Sequence, residues 1–251
     1  MNAFLRKEFI ENIRTYKLLI MFTVFILFGI LSPLTAKLLP QILSSFMPEG
    51  ISITLAEPAA IDAWTQFFKN ISQIGIIVTV ILFSGNLSNE LSKGTLINML
   101  TKGLKRSSVI LAKYAMASIL FTASYAAAAA LSYVYTLYLF DGSELHNLLL
   151  SLLCLWLFGL FLLSVLMLWA SITRSGYAAL LLTGFVAASL MILNIIPAAE
   201  TYNPISLAAN NVALLTNAIE PYQIYMAGGI AIAGIIVFIT GAVLVFQKKQ
   251  L

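Results

Sequence analysis

The side chains that most often carry enzymatic chemistry are scarce in this sequence. It contains one histidine and one cysteine, His146 and Cys154. Eight residues along a helix correspond to an offset of about 80° and a rise of about 12 Å, too far for a cysteine–histidine nucleophile pair. A structural zinc site needs about four nitrogen or sulfur ligands. We therefore predict no catalytic group and no metal site.

A nucleotide-binding loop is also missing from the sequence. No Gly-x-x-x-x-Gly-Lys-Ser/Thr run occurs, and Lys93-Gly94-Thr95 has these residue types in the wrong order. If this protein drives uphill transport, ATP must therefore be hydrolysed by another chain. We predict that it is not itself an enzyme.

Hydroxyl groups recur at helical spacing in one long apolar segment. Spacings of three and four residues place them in a narrow stripe on one helix face. Such a stripe is suited to lining a transport pathway, and equally to close helix packing, which favours small and hydroxyl residues in membranes. Both interpretations stay open for Ser118, Thr122, Tyr125, Ser132 and Thr136, with Ala129 between them.

The composition indicates where such helices lie. The chain has 251 residues, of which 61% are hydrophobic and 10% charged, with a mean hydropathy of +0.97. An average soluble domain has about 25% charged residues. A soluble enzyme or a nucleic-acid-binding domain is therefore excluded, and the lipid bilayer is the expected environment.

Six stretches are long and apolar enough to cross a bilayer, which takes about 20 residues in a helix. We predict an all-α integral membrane protein with a single domain over residues 1–251. The predicted spans are residues 18–36, 71–87, 109–139, 148–172, 177–197 and 224–246. Outside them, residues 37–70 suggest a short structured cap, and residues 198–223 suggest short helices before the last span.

The basic residues predict the orientation of these spans. With the N-terminus in the cytoplasm, twelve of the 14 Lys and Arg residues fall on the inner side, while the acidic residues there are Glu8, Glu11 and Glu90. Cytoplasmic loops are enriched in Lys and Arg. We therefore expect a cell-membrane protein with both termini on the cytoplasmic side. The net charge of +4 thus indicates orientation rather than nucleic-acid binding.

The segment before the first span has apolar residues at helical spacing and basic residues on its other faces. Leu5, Phe9, Ile13 and Tyr16 form the apolar face. This pattern predicts an N-terminal interfacial helix at the bilayer surface, although it also fits a charged flank that only sets topology.

Residues 88–108 form the largest predicted cytoplasmic loop. Gly94 and Gly103 bracket a partly apolar stretch, Thr95 to Lys102. Glycine beyond a helix end is a stop signal, so a short helix is predicted here. It suits docking to another protein, whereas the alternative is a solvated basic loop that obeys the charge rule.

This region resembles the second-to-third-span region of ABC type-2 permeases, the membrane subunits of ATP-binding-cassette exporters. The residues that carry the resemblance are Glu90-Leu-Ser-Lys-Gly94-Thr95-Leu96, Lys105-Arg106-Ser107-Ser108 and Leu111-Ala-Lys113. Arg6-Lys7-Glu8-Phe9 resembles the elbow helix of that family. The chain departs from the family pattern at Gly103-Leu104-Lys105, where a proline is usual; glycine can also make the turn.

The resemblance implies that this chain forms the membrane spans and that a separate subunit hydrolyses ATP. Loop residues would couple the spans to a cytoplasmic ABC ATPase, with Leu96 and Leu100 docking by apolar contact and Glu90 and Arg106 by charge. The implied ATPase-coupling residues are Glu90, Gly94, Thr95, Leu96, Leu100 and Arg106, with Lys113 at the membrane boundary.

The resemblance also implies partners. A second permease copy or a paralogue would complete the membrane domain, and ATP and Mg would be used by the ATPase subunit, with no cofactor bound directly by this chain. The predicted span interiors lack ionisable residues, which counts against a proton- or sodium-coupled transporter. The alternative is a non-transporting multi-pass membrane protein, such as a biogenesis, anchoring or immunity factor.

Overall fold

The computed structural model describes residues 2–45, 57–92, 94, 96, 100, 101, 103–140, 145–173 and 175–249. These residues form helices joined by turns, without strands. The elements are α1 (Asn2–Arg14), α2 (Lys17–Ser45), α3 (Ala60–Asn70), a π-helical turn (Ile71–Gly75), α4 (Ile76–Ser84), α5 (Ser88–Ser92), α6 (Arg106–Leu139), α7 (Leu148–Ile172), α8 (Gly176–Leu193), α9 (Pro197–Glu200), α10 (Ser206–Ala209), α11 (Asn211–Leu215) and α12 (Tyr222–Lys248).

Within the described residues, six helices are long and apolar enough to cross a membrane. The all-α, multi-pass prediction is therefore confirmed. One helix, α7, has the predicted bounds of 148–172, and three others differ by a few residues at one or both ends. Helix α2, which contains the first predicted span, continues beyond residue 36, through Pro40 to Ser45.

The second hydrophobic helix differs most from its prediction. It runs from Ala60 to Leu91 rather than beginning at residue 71, so α3 replaces much of the predicted cap. The physical reason is that α3 is amphipathic. Trp64, Phe67 and Phe68 on one face are buried, while the charged Asp62 and Lys69 keep hydropathy low over the same residues. Residues 46–56 of the cap lie outside the described residues.

Helices α6 and α7 lie at the centre of the bundle. Helix α2 approaches α6 so closely that a Cβ added to Gly29 would lie 2.7 Å from the carbonyl oxygen of Ala128. On the other side, α12 packs on α7, where Gly234 faces the ring of Phe161. By contrast, α8 is peripheral, since its buried residues are Ala179 and Thr183. Most of its apolar surface is therefore exposed in this chain.

One end of the bundle holds both chain termini and the loop between the second and third spans. Hydrogen bonds join α1 to α5 and α6, α6 to the C-terminal end of α12, and Lys249 to the C-terminal end of α7. We call this the terminal end. The four segments that the basic residues predict to be cytoplasmic are α1, the loop between the second and third spans, the end of α7 and the end of α12. They lie together at this end, in agreement with six spans that bring both termini to the same side.

Candidate functional site

A buried group of charged residues lies at the terminal end, where the loop of residues 88–105 leaves the bundle. At its centre, the Lys113 Nζ on α6 lies 2.8 Å from Glu8 Oε1 on α1 and 2.8 Å from Glu90 Oε2 on α5. Lys113 and Glu8 are each 1% exposed, and Glu90 is 6% exposed. Three separate elements thus meet at one ammonium group.

A second lysine extends this group toward the surface. Lys7 also binds Glu90, and its Nζ lies 3.1 Å from Glu8 Oε1 and 2.5 Å from Glu11 Oε2. Lys7, Glu8, Glu11, Glu90 and Lys113 together form what we call the ion cluster. Two ammonium groups lie among three carboxylates, which leaves a formal charge of −1, and each carboxylate is already paired with a lysine of this chain.

The face of helix α1 that packs on the protein carries both polar and apolar residues. Phe4, Glu8 and Asn12 are buried at i, i+4 spacing, and Asn12 donates to the Glu8 carbonyl at 2.8 Å. Phe9 and Ile13 are exposed on the opposite side. An exposed apolar face on a helix beside the spans agrees with the predicted interfacial position.

Burial alone would raise the pKa of the Glu11 carboxyl group. The hydrogen bond and the charge of Lys7, followed by the charges of Lys113 and Lys17, outweigh that effect and hold the pKa below its ordinary value. Glu11 therefore remains ionised at neutral pH beside its lysine partner.

The two glycines of the loop both have left-handed backbone conformations. Gly94 has φ +67° and Gly103 has φ +92°, and their N–H groups donate to the carbonyls of Leu91 and Leu100. These are the turns expected of glycine beyond a helix end. Leu96, Leu100 and Thr101 are helical, whereas Thr95, residues 97–99 and Lys102 of the predicted coupling helix lie outside the described residues.

The predicted docking residues do not present their side chains as expected. Leu96 is fully buried within this chain, Leu100 is partly buried against the same core, and Glu90 is held in the ion cluster. Direct contact of Leu96 or Glu90 with another protein is therefore not supported by their positions. Because apolar and charged side chains at the base of the loop find partners in α1 and α6, they fix the loop to the bundle instead.

Arg106 also has a partner inside the chain. Its Nη1 donates to the carbonyls of Phe246 at 3.2 Å and Gln247 at 3.0 Å, and to that of Lys249. Lys249 in turn donates from Nζ to the Ser171 carbonyl at 2.9 Å. Each cation satisfies carbonyls at a helix C-terminus, the negative end of the helix dipole. Arg106 thus caps α12 in this structure, and its charge contact with an ATPase stays a prediction.

Replacing Arg106 by alanine is expected to fray the last turn of α12. Hydrogen bonds to a charged group contribute about 1.5–3 kcal/mol. We expect amide hydrogen exchange over residues 244–249 to accelerate by about tenfold or more. The matched control is Arg14→Ala, which removes an exposed arginine at the end of α1. Unchanged exchange in the Arg106 variant would contradict the assigned role.

The hydroxyl stripe of α6 packs against the neighbouring helix. Thr122 Oγ1 accepts a hydrogen bond from Trp156 Nε1 at 2.9 Å, and the Tyr125 hydroxyl donates to the Leu152 carbonyl at 2.9 Å. Ser132 and Thr136 are buried, and Thr136 donates to the carbonyl of Ser132. Of the two interpretations of the stripe, which also includes Ser118, this geometry favours packing over a pathway wall.

Sequence reasoning identified Glu90 and Lys113 but missed Glu8, Lys7 and Glu11 as members of the same site. A signal for them was present in the charge distribution. The three acidic residues assigned to the basic, cytoplasmic side are the three carboxylates of the ion cluster. Acidic residues on a side of the membrane that is otherwise basic are therefore candidates for specific ion pairs with lysine or arginine.

The six helices define an all-α, multi-pass membrane protein whose loop between the second and third spans is anchored by buried ion pairs. No family model matches the chain. A curated relative in Bacillus subtilis (strain 168), described as uncharacterized transmembrane protein YxlG, is 24% identical over 207 residues. The alignment covers 81% of this chain and 80% of that relative.

Proposed function

We propose that this protein is the membrane-spanning permease subunit of an ATP-binding-cassette exporter. It would work with a second permease copy or a paralogue, on cytoplasmic ABC ATPase subunits, with its terminal end in the cytoplasm. The observation that carries the proposal is the ion cluster. It ties the elbow-like helix α1, the start of the loop and the third span into one unit at the place where such a permease receives force from its ATPase.

Buried ion pairs suit a mechanical connection because their separation is costly. Removing one partner of a buried pair costs about 3–5 kcal/mol. A displacement of the loop that moved α5 away from α6 would have to separate Glu90 from Lys113. Moving α5, α1 and α6 together avoids this cost. A push on the loop is therefore passed to the third span rather than absorbed locally.

Because the sequence contains no phosphate-binding loop, the proposed ATPase must be a separate protein, and copurification can test for it. A tagged chain, purified from its native cells in mild detergent, is expected to bring down a protein with a P-loop and an ATP-binding-cassette signature. The reconstituted complex should hydrolyse ATP. Recovery of the intact chain without any such ATPase, under conditions that preserve other membrane complexes, would contradict the proposal and favour a non-transporting membrane protein.

Substitution of Gly94 by valine is expected to weaken coupling without preventing membrane insertion. No atom lies within 4 Å of an added Cβ, so the effect comes from the positive φ, which costs a non-glycine residue about 1–3 kcal/mol. If docking requires this conformation, the recovered ATPase falls by about tenfold, since 1.4 kcal/mol corresponds to a factor of ten.

The matched control for Gly94→Val is Gly228→Val. This glycine also has open space around an added Cβ, but lies within α12 without a positive φ. Its ATPase recovery should stay at the level of the unmodified chain. Equal loss in both variants, or none in either, would contradict a coupling role for Gly94.

A further inference from the structure

A cavity of about 490 Å³ lies at the terminal end, beside the ion cluster and separate from it. It is formed where the second span passes the beginning of α8 and the beginning of α2. Both polar and apolar side chains line it. The polar residues are Lys17, Ser84, Ser88, Asn89 and Ser175, and the apolar ones include Ile81, Leu82 and Leu180.

Lys17 lines this cavity without an ion-pair partner among the described residues. Its ammonium group binds the side-chain oxygen of Asn86 and lies near the ring of Phe83, both of which are uncharged. Across the described ranges, no carboxylate lies within 4.0 Å of Lys17. The nearby Glu8 and Glu11 bind Lys113 and Lys7 instead. A partly buried cation of this kind attracts an anion.

The remaining lining is suited to receiving that anion. Helix α8 begins at the cavity, and its first turn contains no acidic residue. Ser88 Oγ donates to the Gly85 carbonyl at a weak 3.5 Å, so its hydroxyl can turn toward a ligand at little cost. The floor is fixed by a close approach, since a Cβ on Gly176 would lie 2.9 Å from the Cα of Gly85.

The rim of the cavity faces the bilayer. Ile81 is 50% exposed and Tyr177 is 82% exposed, and both belong to helices that are long and apolar enough to span. An amphiphile could therefore enter sideways, with its charged group near Lys17 and its chains along Ile81 and Leu180. The volume falls in the range of about 300–1,000 Å³ usual for small-molecule sites.

We infer that this cavity binds the phosphate ester headgroup of an anionic membrane lipid, with Lys17 as its principal cation and Ser88 as a hydrogen-bond donor. The assignment is independent of whether the protein is an ABC permease. A soluble phosphate ester offers the same chemistry without the acyl chains, so the apolar rim is what assigns the site to a lipid.

The test uses the full chain in nanodiscs and native mass spectrometry to count retained lipids. Discs containing phosphatidylglycerol should yield a retained, charge-specific lipid, and discs of phosphatidylcholine alone should not. Inorganic phosphate and glycerol 3-phosphate form separate arms. Retention of either soluble anion at the level found for phosphatidylglycerol would overturn the lipid assignment. Equal retention of phosphatidylcholine would overturn it as well.

Two variants place the lipid at this cavity. Lys17→Met should reduce phosphatidylglycerol retention by about tenfold or more, because it removes the principal cation, and Ser88→Ala by a smaller factor, because it removes one hydrogen bond and leaves that cation in place. Lys248→Met is the matched control, since it removes an exposed lysine from the terminal end. Retention unchanged in both cavity variants, or reduced equally in the control, would overturn the proposal.

Discussion

Replacing Lys113 by methionine is expected to destabilise the helix bundle by about 3–5 kcal/mol, the usual cost of removing one partner from a buried ion pair. Methionine keeps most of the length of the side chain, so little volume is lost. What is lost is the positive charge between Glu8 Oε1 and Glu90 Oε2, each 2.8 Å from the lysine Nζ. The two carboxylates would then face each other with Lys7 as their remaining partner.

The individual helices should still insert, because their apolar segments are unchanged. The loss concerns their packing at the terminal end, where α1 and α5 meet α6. A destabilisation of this size corresponds to a fall of about 6–20 °C in the midpoint of thermal unfolding, at about 2–4 °C per kcal/mol. Thermal unfolding in nanodiscs, followed by intrinsic tryptophan fluorescence, measures it.

Two further variants isolate the charge effect of Lys113. Lys248→Met removes an exposed lysine and should change stability by less than about 1 kcal/mol. The double variant Lys113→Met with Glu8→Gln should be more stable than Lys113→Met alone, because one of the two carboxylates that then share Lys7 is neutralised and Glu90 keeps Lys7. Additive losses in the double variant would contradict the pairing of Lys113 with Glu8.

Replacing Gly29 by alanine is expected to destabilise the bundle by about 1–3 kcal/mol, and Gly29→Leu by more. The added Cβ would lie 2.7 Å from the carbonyl oxygen and 3.0 Å from the Cα of Ala128. Both atoms belong to the backbone of α6, so no side chain can rotate away. Helices α2 and α6 would have to separate, which would loosen the nearby edge-to-face contact of Phe25 with Phe121.

Gly184 provides the matched control for Gly29. It lies within the membrane helix α8, and nothing lies within 4 Å of an added Cβ. Gly184→Ala should therefore be neutral or slightly stabilising, because alanine is the better helix former by about 1 kcal/mol. Measuring both alanine variants in the same nanodiscs separates steric overlap from helix propensity. Equal effects of the two substitutions would contradict the close approach at Gly29.

The helices of this protein were largely predictable from its sequence because lipid leaves few alternatives. A backbone in hydrocarbon must satisfy its own hydrogen bonds, so a long apolar run such as residues 148–172 forms a helix with those bounds. The rule is weaker where a helix continues beyond the apolar run. Helix α3 escaped prediction because the charges of Asp62 and Lys69 dilute its hydropathy, although its buried aromatic face packs in the bundle.

The roles of single residues were harder to predict. Hydropathy and charge placed Glu90, Arg106 and Lys113 on the same side of the membrane, and the family resemblance made them coupling residues. Neither indicated that Lys113 would bind Glu8, 105 positions earlier in the chain. Nor did spacing indicate that Arg106 would cap α12, which lies at the opposite end of the sequence.

The sequence by itself determined the class of protein, most of the membrane helices and the turns at Gly94 and Gly103, because these follow from local hydropathy and backbone conformation. The tertiary structure alone decided which charged side chains are buried together. Pairing of distant charges depends on helix rotation and on close contacts such as Gly29 with Ala128, which no local pattern specifies. Lys113, Glu8 and Glu90 are the clearest case, because three separate elements must pack together before these side chains can meet.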